Sequence, residues 1–258
     1  MSARWIVIWL LLLLPWQAGA EPFSGVPILV YHRFAAAATD SMTVSIAVLE
    51  GHLQTLQQEG FQVIPLAQLL AHLRGAGPAP PPRAVVLTVD DGHRSVFTEL
   101  YPRLLRQRLP VTLFIYPSAI SNADYALTWE QLRQMQDSGL VDIQSHTFWH
   151  PNFHQERRRL TPPAYAAAVA MQLSRSKTVL EERLGAPVSL LAWPFGIVDD
   201  ELKSQAAAAG YLAAFTIEPR PAVAGQDLLA LPRFLLQDRH RNKALRAILT
   251  TTADKGGP

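Results

Sequence analysis

Hydrophobic and polar positions along this chain follow two periods in turn, and the switching between them sketches a fold. Apolar runs of strand length fall at residues 27–31, 61–64, 84–88, 111–116, 140–145, 189–193, 211–216 and 229–236. Most are bounded by glycine, proline or polar residues, as buried strands are. Between them the spacing becomes helical. Val48, Leu49, Leu53 and Leu56 share a helix face with Gly60 as C-terminal cap, and Leu66, Leu69, Leu70 and Leu73 outline a shorter amphipathic helix. Residues 101–109 read as helix with Pro102 in the first turn, and Thr128 with Gln131 makes a capping box for a helix that stops near Gly139. An alanine-rich helix covers residues 163–184 and ends at Gly185, another begins at Asp199 or Asp200 and ends at Gly210, and the last spans 243–249. The loop at 75–82 is proline-rich but too short to link domains. Alternating strands and helices without an internal repeat predict a single α/β domain, a parallel barrel or closed sheet.

Against this apolar background two polar groups stand out because both follow strands. Asp90 and Asp91 end the run at 84–88, with Gly92 allowing an immediate turn. In α/β folds catalytic groups gather at such carboxyl ends. His146 and His150 follow the run at 140–145, and Pro151 biases His150 away from helical geometry. One Asp with two His is the ligand set of an open divalent-metal site, which leaves the other Asp free as a base. The competing readings are a turn or helix-capping pair for the aspartates and surface positions for the histidines. His52 and His72 within helices, and His93 and His154 beside motifs, read as solvated surface residues.

Composition narrows the setting. The first twenty residues carry one charge, Arg4, then an apolar run over 5–14, and end Ala18, Gly19, Ala20. They read as a cleaved signal peptide, residues 1–20, leaving a catalytic domain at 21–258 with Glu21 first and a periplasmic or secreted location. The alternative is an uncleaved N-terminal anchor, although the run is shorter than the roughly 20 residues a span needs. No later stretch is apolar enough to span a bilayer. The chain has no cysteine, so neither disulfides nor a cysteine-linked lipid are expected. Without Arg4, the 23 basic residues become 22 against 21 acidic ones, which offers no electrostatic argument for nucleic acid.

The motifs together resemble the polysaccharide deacetylases of the NodB-homology family, carbohydrate esterase family 4. Thr88, Val89, Asp90, Asp91 and Gly92 are similar to its T-F-D-D-G motif, Ser145 to Pro151 contains its H-[ST]-x-x-H, and Trp193, Pro194, Phe195 and Gly196 resemble its third motif with Phe195 for tyrosine. Residues 27–33 and 231–234 are similar to the extracytoplasmic branch acting on poly-N-acetylglucosamine. The resemblance implies a deformed (β/α) barrel and a metal-dependent carbohydrate N-deacetylase. Asp91, His146 and His150 would hold a divalent ion, zinc first, with cobalt or nickel possible. Asp90 would be the base, and the backbone N–H of Phe195 an oxyanion donor. Trp149 and Trp193 would either stack on sugar faces or form the packed wall.

Two departures from the family pattern matter. The distal L-x-x-H histidine is missing, and His32, at the end of the first strand, is the candidate general acid, with an ordinary strand-end histidine as its alternative. The motif arginine that pairs with the base is replaced by Ala192, and Arg233, the one arginine in a late apolar strand setting, is the candidate substitute. The favoured substrate is poly-β-1,6-N-acetylglucosamine; peptidoglycan or chitooligosaccharide deacetylation, or a binding relative without turnover, are the rivals.

Overall fold

The computed structural model describes residues 25–250, so the expected leader and Glu21 lie outside the described residues. The chain runs β1 (Ile28–Tyr31), β2 (Arg33–Ala35), β3 (Thr43–Ser45), α1 (Ile46–Gln58), β4 (Gln62–Val63), α2 (Leu66–Leu73) and β5 (Ala84–Asp91). A π-turn leads into α3 (Tyr101–Gln107), then β6 (Val111–Ile115), α4 (Trp129–Asp137), β7 (Val141–Ser145), α5 (Phe153–Arg159) and α6 (Pro162–Leu184). β8 (Leu190–Ala192), α7 (Asp200–Ala208), β9 (Ala213–Phe215), β10 (Phe234–Leu235) and α8 (Asn242–Thr250) complete it.

The main sheet has the order β10-β1-β5-β6-β7-β8-β9, with β4 beside β5, and β2 and β3 form a separate pair. Its neighbouring strands are parallel. Residues 229–236, expected as one strand, are instead broken into a 3-10 turn at Leu228–Ala230 and the two-residue β10. Pro232 has no N–H to donate, so a continuous ladder cannot form there. Leu231 bridges to Phe215 of β9, and Phe234 pairs with Leu29 of β1, so this one segment brings the two sheet edges together. The result is the deformed (β/α) barrel, in one domain.

Period-2 alternation sorts the strands. Ile28, Ala84, Val86, Phe114, Leu190, Ala213 and Phe215 fill the barrel interior, and Leu66, Leu69 and Leu70 of α2 close its lower end. Leu29, Tyr31, Val85, Leu87 and Val89 face outward into the layer packed by α1, α3, α4 and α6. Continuing the inward set along β5 gives Thr88 and then Asp90, which places the polar groups of this strand at its upper end.

Three local features differ from the sequence-based expectation. The strands β2 and β3 are too short to show a period. α5 is mostly charged, with Phe153 its one buried residue, and it is started by Asn152, whose side chain accepts from the Gln155 N–H. His52, expected on the surface, is 0% exposed: its Nδ1 meets Tyr31 Oη at 3.0 Å and its Nε2 meets the His240 carbonyl.

Candidate active site

Several residues at the upper end of the barrel leave the ordinary backbone conformations. Asp91 has φ 74°, Thr147 65°, His150 61° and Phe195 58°, all left-handed without being glycine. Such residues each cost on the order of 1–3 kcal/mol and persist where surrounding structure enforces them. Gly92, at φ 78°, cannot be replaced cheaply, because an L side chain is strained in that left-handed conformation.

Asp90 points into the barrel and is 2% exposed, and Arg233 opposite it is 0% exposed. The pair is bidentate: Arg233 Nη1 donates to Oδ1 at 2.8 Å and Nη2 to Oδ2 at 2.7 Å. Arg233 also donates to Thr88 Oγ1 and, through Nε, to the Thr216 carbonyl, and its guanidinium lies over the Phe114 ring at 5.2 Å. The charge missing at Ala192 is thus delivered from the closing segment. Burial pushes the Asp90 carboxyl up, but the Arg233 guanidinium, His146 and His32 outweigh it and hold it down at about 2.

Asp91, one residue on, is turned out of the strand alternation towards the two histidines. Its Oδ1 lies 3.6 Å from His146 Nε2 and 3.8 Å from His150 Nε2. His146 is fixed by a 2.7 Å contact from Nδ1 to the Ala192 carbonyl. Since a carbonyl can only accept, the proton of this contact sits on Nδ1, which leaves Nε2 as the ring nitrogen that faces Asp91. Burial and the neighbouring His146 lower His150 to about 4 against the pull of Asp91 and Asp90, so His150 is neutral at pH 7. The rings of Tyr116 and Phe195 flank His150 with centroids at 5.5 and 4.7 Å.

These atoms fit a divalent cation. Edges of 3.6 and 3.8 Å approach the roughly 3.4 Å expected between donors about 2.0–2.1 Å from one tetrahedral ion. Asp91 Oδ1 is buried with no hydrogen-bond partner, an expensive condition for a carboxylate oxygen unless a cation meets it. Asp91, His146 and His150 form the one such donor group among the described residues.

The remaining expected site residues fall differently. His32 sits half-buried past the end of β1, with Nδ1 unpartnered and the charges of Asp90, Asp91, His146 and Arg233 acting on it; burial lowers its pKa. Phe195 is 55% exposed at the rim and Trp149 45%, so both present ring surface to a ligand. Trp193 does not. It is 1% exposed, donates its indole N–H to the Leu229 carbonyl at 2.9 Å and packs edge-on against Phe153, which corrects the sugar-stacking alternative in favour of the packed wall. Tyr116 and the Ala192 carbonyl, which orient the histidines, carry no motif signal of their own.

A family model described as polysaccharide deacetylase matches residues 77–214, which hold Asp90, Asp91, His146, His150 and Phe195 but not His32 or Arg233. The chain belongs to the polysaccharide deacetylase family. The Escherichia coli (strain K12) poly-beta-1,6-N-acetyl-D-glucosamine N-deacetylase is 26% identical over 281 residues, which cover 93% of this chain and 40% of that protein. The chain therefore spans less than half the length of that curated relative. Among solved structures, the Streptococcus pyogenes deacetylase PplD in complex with acetate has a TM-score of 0.78 at 22% identity, covering 87% of this chain and 98% of that one. IcaB from Ammonifex degensii has a TM-score of 0.77 at 23% identity, covering 87% and 97%. At such identities the polysaccharide deacetylase and these structures share the barrel.

Proposed function

We propose that this polysaccharide deacetylase is a metal-dependent N-deacetylase that removes acetyl groups from poly-β-1,6-N-acetylglucosamine outside the cytoplasm. The observation that carries the reading is the division of labour between neighbours: Asp91 converges with His146 and His150 while both oxygens of Asp90 are held, ionised, by Arg233. Asp91, His146 and His150 would hold the ion, zinc first, with cobalt or nickel as substitutes. When bound, a divalent ion supplies a Lewis acid that makes water nucleophilic near pH 7 and polarises an amide carbonyl.

The protein's own groups carry the proton transfers. Asp90 accepts the proton from the attacking water as the new C–O bond forms, and its low pKa keeps it ready to do so across the neutral range. The Phe195 N–H donates to the oxygen that becomes negative, a role worth on the order of 3 kcal/mol. His32 delivers a proton to the departing nitrogen as the C–N bond breaks, which leaves acetate and a free amino sugar. Trp149, exposed beside His150, offers a face for a neighbouring sugar ring. Support for the linkage comes from the name of the Escherichia coli relative, and for the location from the leader-like residues 1–20.

Acetate release from β-1,6-linked poly-N-acetylglucosamine, β-1,4 oligomers and peptidoglycan tests the proposal. The β-1,6 polymer should be the best substrate, with activity abolished by a chelator and restored by zinc. Release from the β-1,4 oligomers or peptidoglycan alone would overturn the linkage, and no release from any zinc-loaded reaction would make the chain a binder.

A further inference from the structure

The loop joining His146 to His150 owes its shape to side chains. Thr147 and His150 both take left-handed conformations, at φ 65° and 61°, and for a β-branched residue this region is disfavoured. Each amide of the loop donates to a side-chain oxygen. Thr147 N–H goes to Ser145 Oγ at 3.2 Å, and His150 N–H goes to Thr147 Oγ1 at 3.2 Å. Between them, Phe148 and Trp149 N–H both go to one atom, Gln172 Oε1, at 3.0 Å each.

Gln172 lies on α6, outside every motif, and is 1% exposed. One turn further, Ser176 Oγ meets Ser145 Oγ at 2.8 Å, and between them Arg175 lies over the Phe148 ring at 4.2 Å. α6 therefore grips the loop at consecutive points. Gln172 Nε2, meanwhile, is buried without a partner. An unmet buried donor is destabilising, and methionine or leucine would fill the space without it, so packing alone does not account for glutamine here. The acceptor oxygen does, because without it two adjacent loop amides would lose their part-buried partner.

We infer that Gln172 is a positioning residue: by holding the Phe148 and Trp149 amides it keeps His150 beside His146 and Asp91 in the geometry that grips a divalent ion. This rests on the proposed reading of Asp91, His146 and His150 as the ion's ligands. Gln172→Met removes the acceptor at similar volume, whereas Gln172→Glu keeps an oxygen for both amides.

Zinc affinity of the metal-free protein, measured by competition with a chromophoric chelator, is the test, with amide hydrogen exchange on the same samples. Gln172→Met should weaken zinc binding by about ten- to a hundredfold. It should also speed exchange at Phe148 and Trp149 while protection in the barrel strands is unchanged. Gln172→Glu should bind close to wild type. Should Gln172→Met fail to fold, Gln172→Asn, which withdraws the carbonyl by one methylene, makes the same comparison. Wild-type affinity in the acceptor-lacking variant, with His150→Ala abolishing binding, would overturn the inference and leave the ligand assignment intact; so would a Gln172→Glu protein as weak as Gln172→Met. Equal zinc binding by wild type and His150→Ala would instead overturn the ligand assignment itself.

Discussion

Asp90 and Asp91 are adjacent in sequence, yet they occupy opposite surroundings. Asp90 lies inside the barrel with both oxygens met by Arg233 and almost no exposure. Asp91 lies at the rim, in a left-handed conformation, with one oxygen unmet and two imidazole nitrogens facing it. The same carboxyl group becomes a satisfied anion in one place and keeps an unmet oxygen in the other. What separates them is the single left-handed step at Asp91, since plain strand alternation would send its side chain outward into the helical layer. A pair of titratable groups pushed into different environments is how one site obtains two roles.

The largest expected disturbance to this contrast comes from Arg233. Arg233→Ala leaves a buried carboxylate unpaired and should cost roughly 3–5 kcal/mol of stability. The pH dependence has a defined sign. In the folded protein Asp90 titrates at about 2, below the roughly 3.9 of an unperturbed aspartate. The stabilisation is therefore complete above that value and lost as the pH falls towards 2. The melting-temperature gap between wild type and Arg233→Ala should thus be constant near neutrality and narrow below about pH 4. In kcat/KM the variant's acidic limb should move to higher pH, and Arg233→Lys should recover part of the shift because an ammonium cannot make the two-point fork. An acidic limb that stays in place would disconnect Arg233 from the base.

His32 sharpens the contrast from the substrate's side, since it feels both aspartates without bonding to either. His32→Ala should lower kcat by about 10²–10⁴ with zinc content unchanged, and the alkaline limb of the rate profile should vanish. Because burial lowers the His32 pKa, that limb in the wild type should lie on the acidic side of an ordinary histidine. Normal turnover would return His32 to a strand-end residue. The smallest effect is expected at the rim: Trp149→Ala should raise KM for polymer several-fold, about the 0.5–1.5 kcal/mol of one aromatic contact, with kcat and melting temperature little changed. An unchanged KM would remove Trp149 from the binding surface.

Much of this was legible in the residues. The strands of the main sheet are visible as short apolar runs while β2 and β3 are not, and Asp91, His146 and His150 stand out because they follow strands that the barrel makes neighbours. Arg233 was visible as a charge in an apolar setting. The closing strand was overdrawn because the apolar pattern runs straight through Pro232, which the ladder cannot. His52 is buried where its polarity suggests a surface residue, although its position carries the signal: Leu49, His52, Leu53 and Leu56 share one helix face. Gln172 and Ser176 lie in the same way on the buried stripe of α6 with Tyr165, Val169, Leu173 and Leu180. A polar residue on an apolar stripe marks a buried partner elsewhere in the chain, but the sequence does not say which. Trp193 shows the converse, a residue beside a motif whose ring serves the wall.

The division between Asp90 and Asp91 is tested most directly by measuring zinc per chain and acetate release on the same preparations of Asp90→Asn and Asp91→Ala. Asp90→Asn should retain one zinc per chain and lose about 10²–10⁴ in kcat, because only the proton acceptor is gone. Asp91→Ala should lose zinc and turnover together. If Asp90→Asn loses zinc as readily as Asp91→Ala, or Asp91→Ala keeps its zinc, the two carboxylates do not have the separate roles their surroundings assign them.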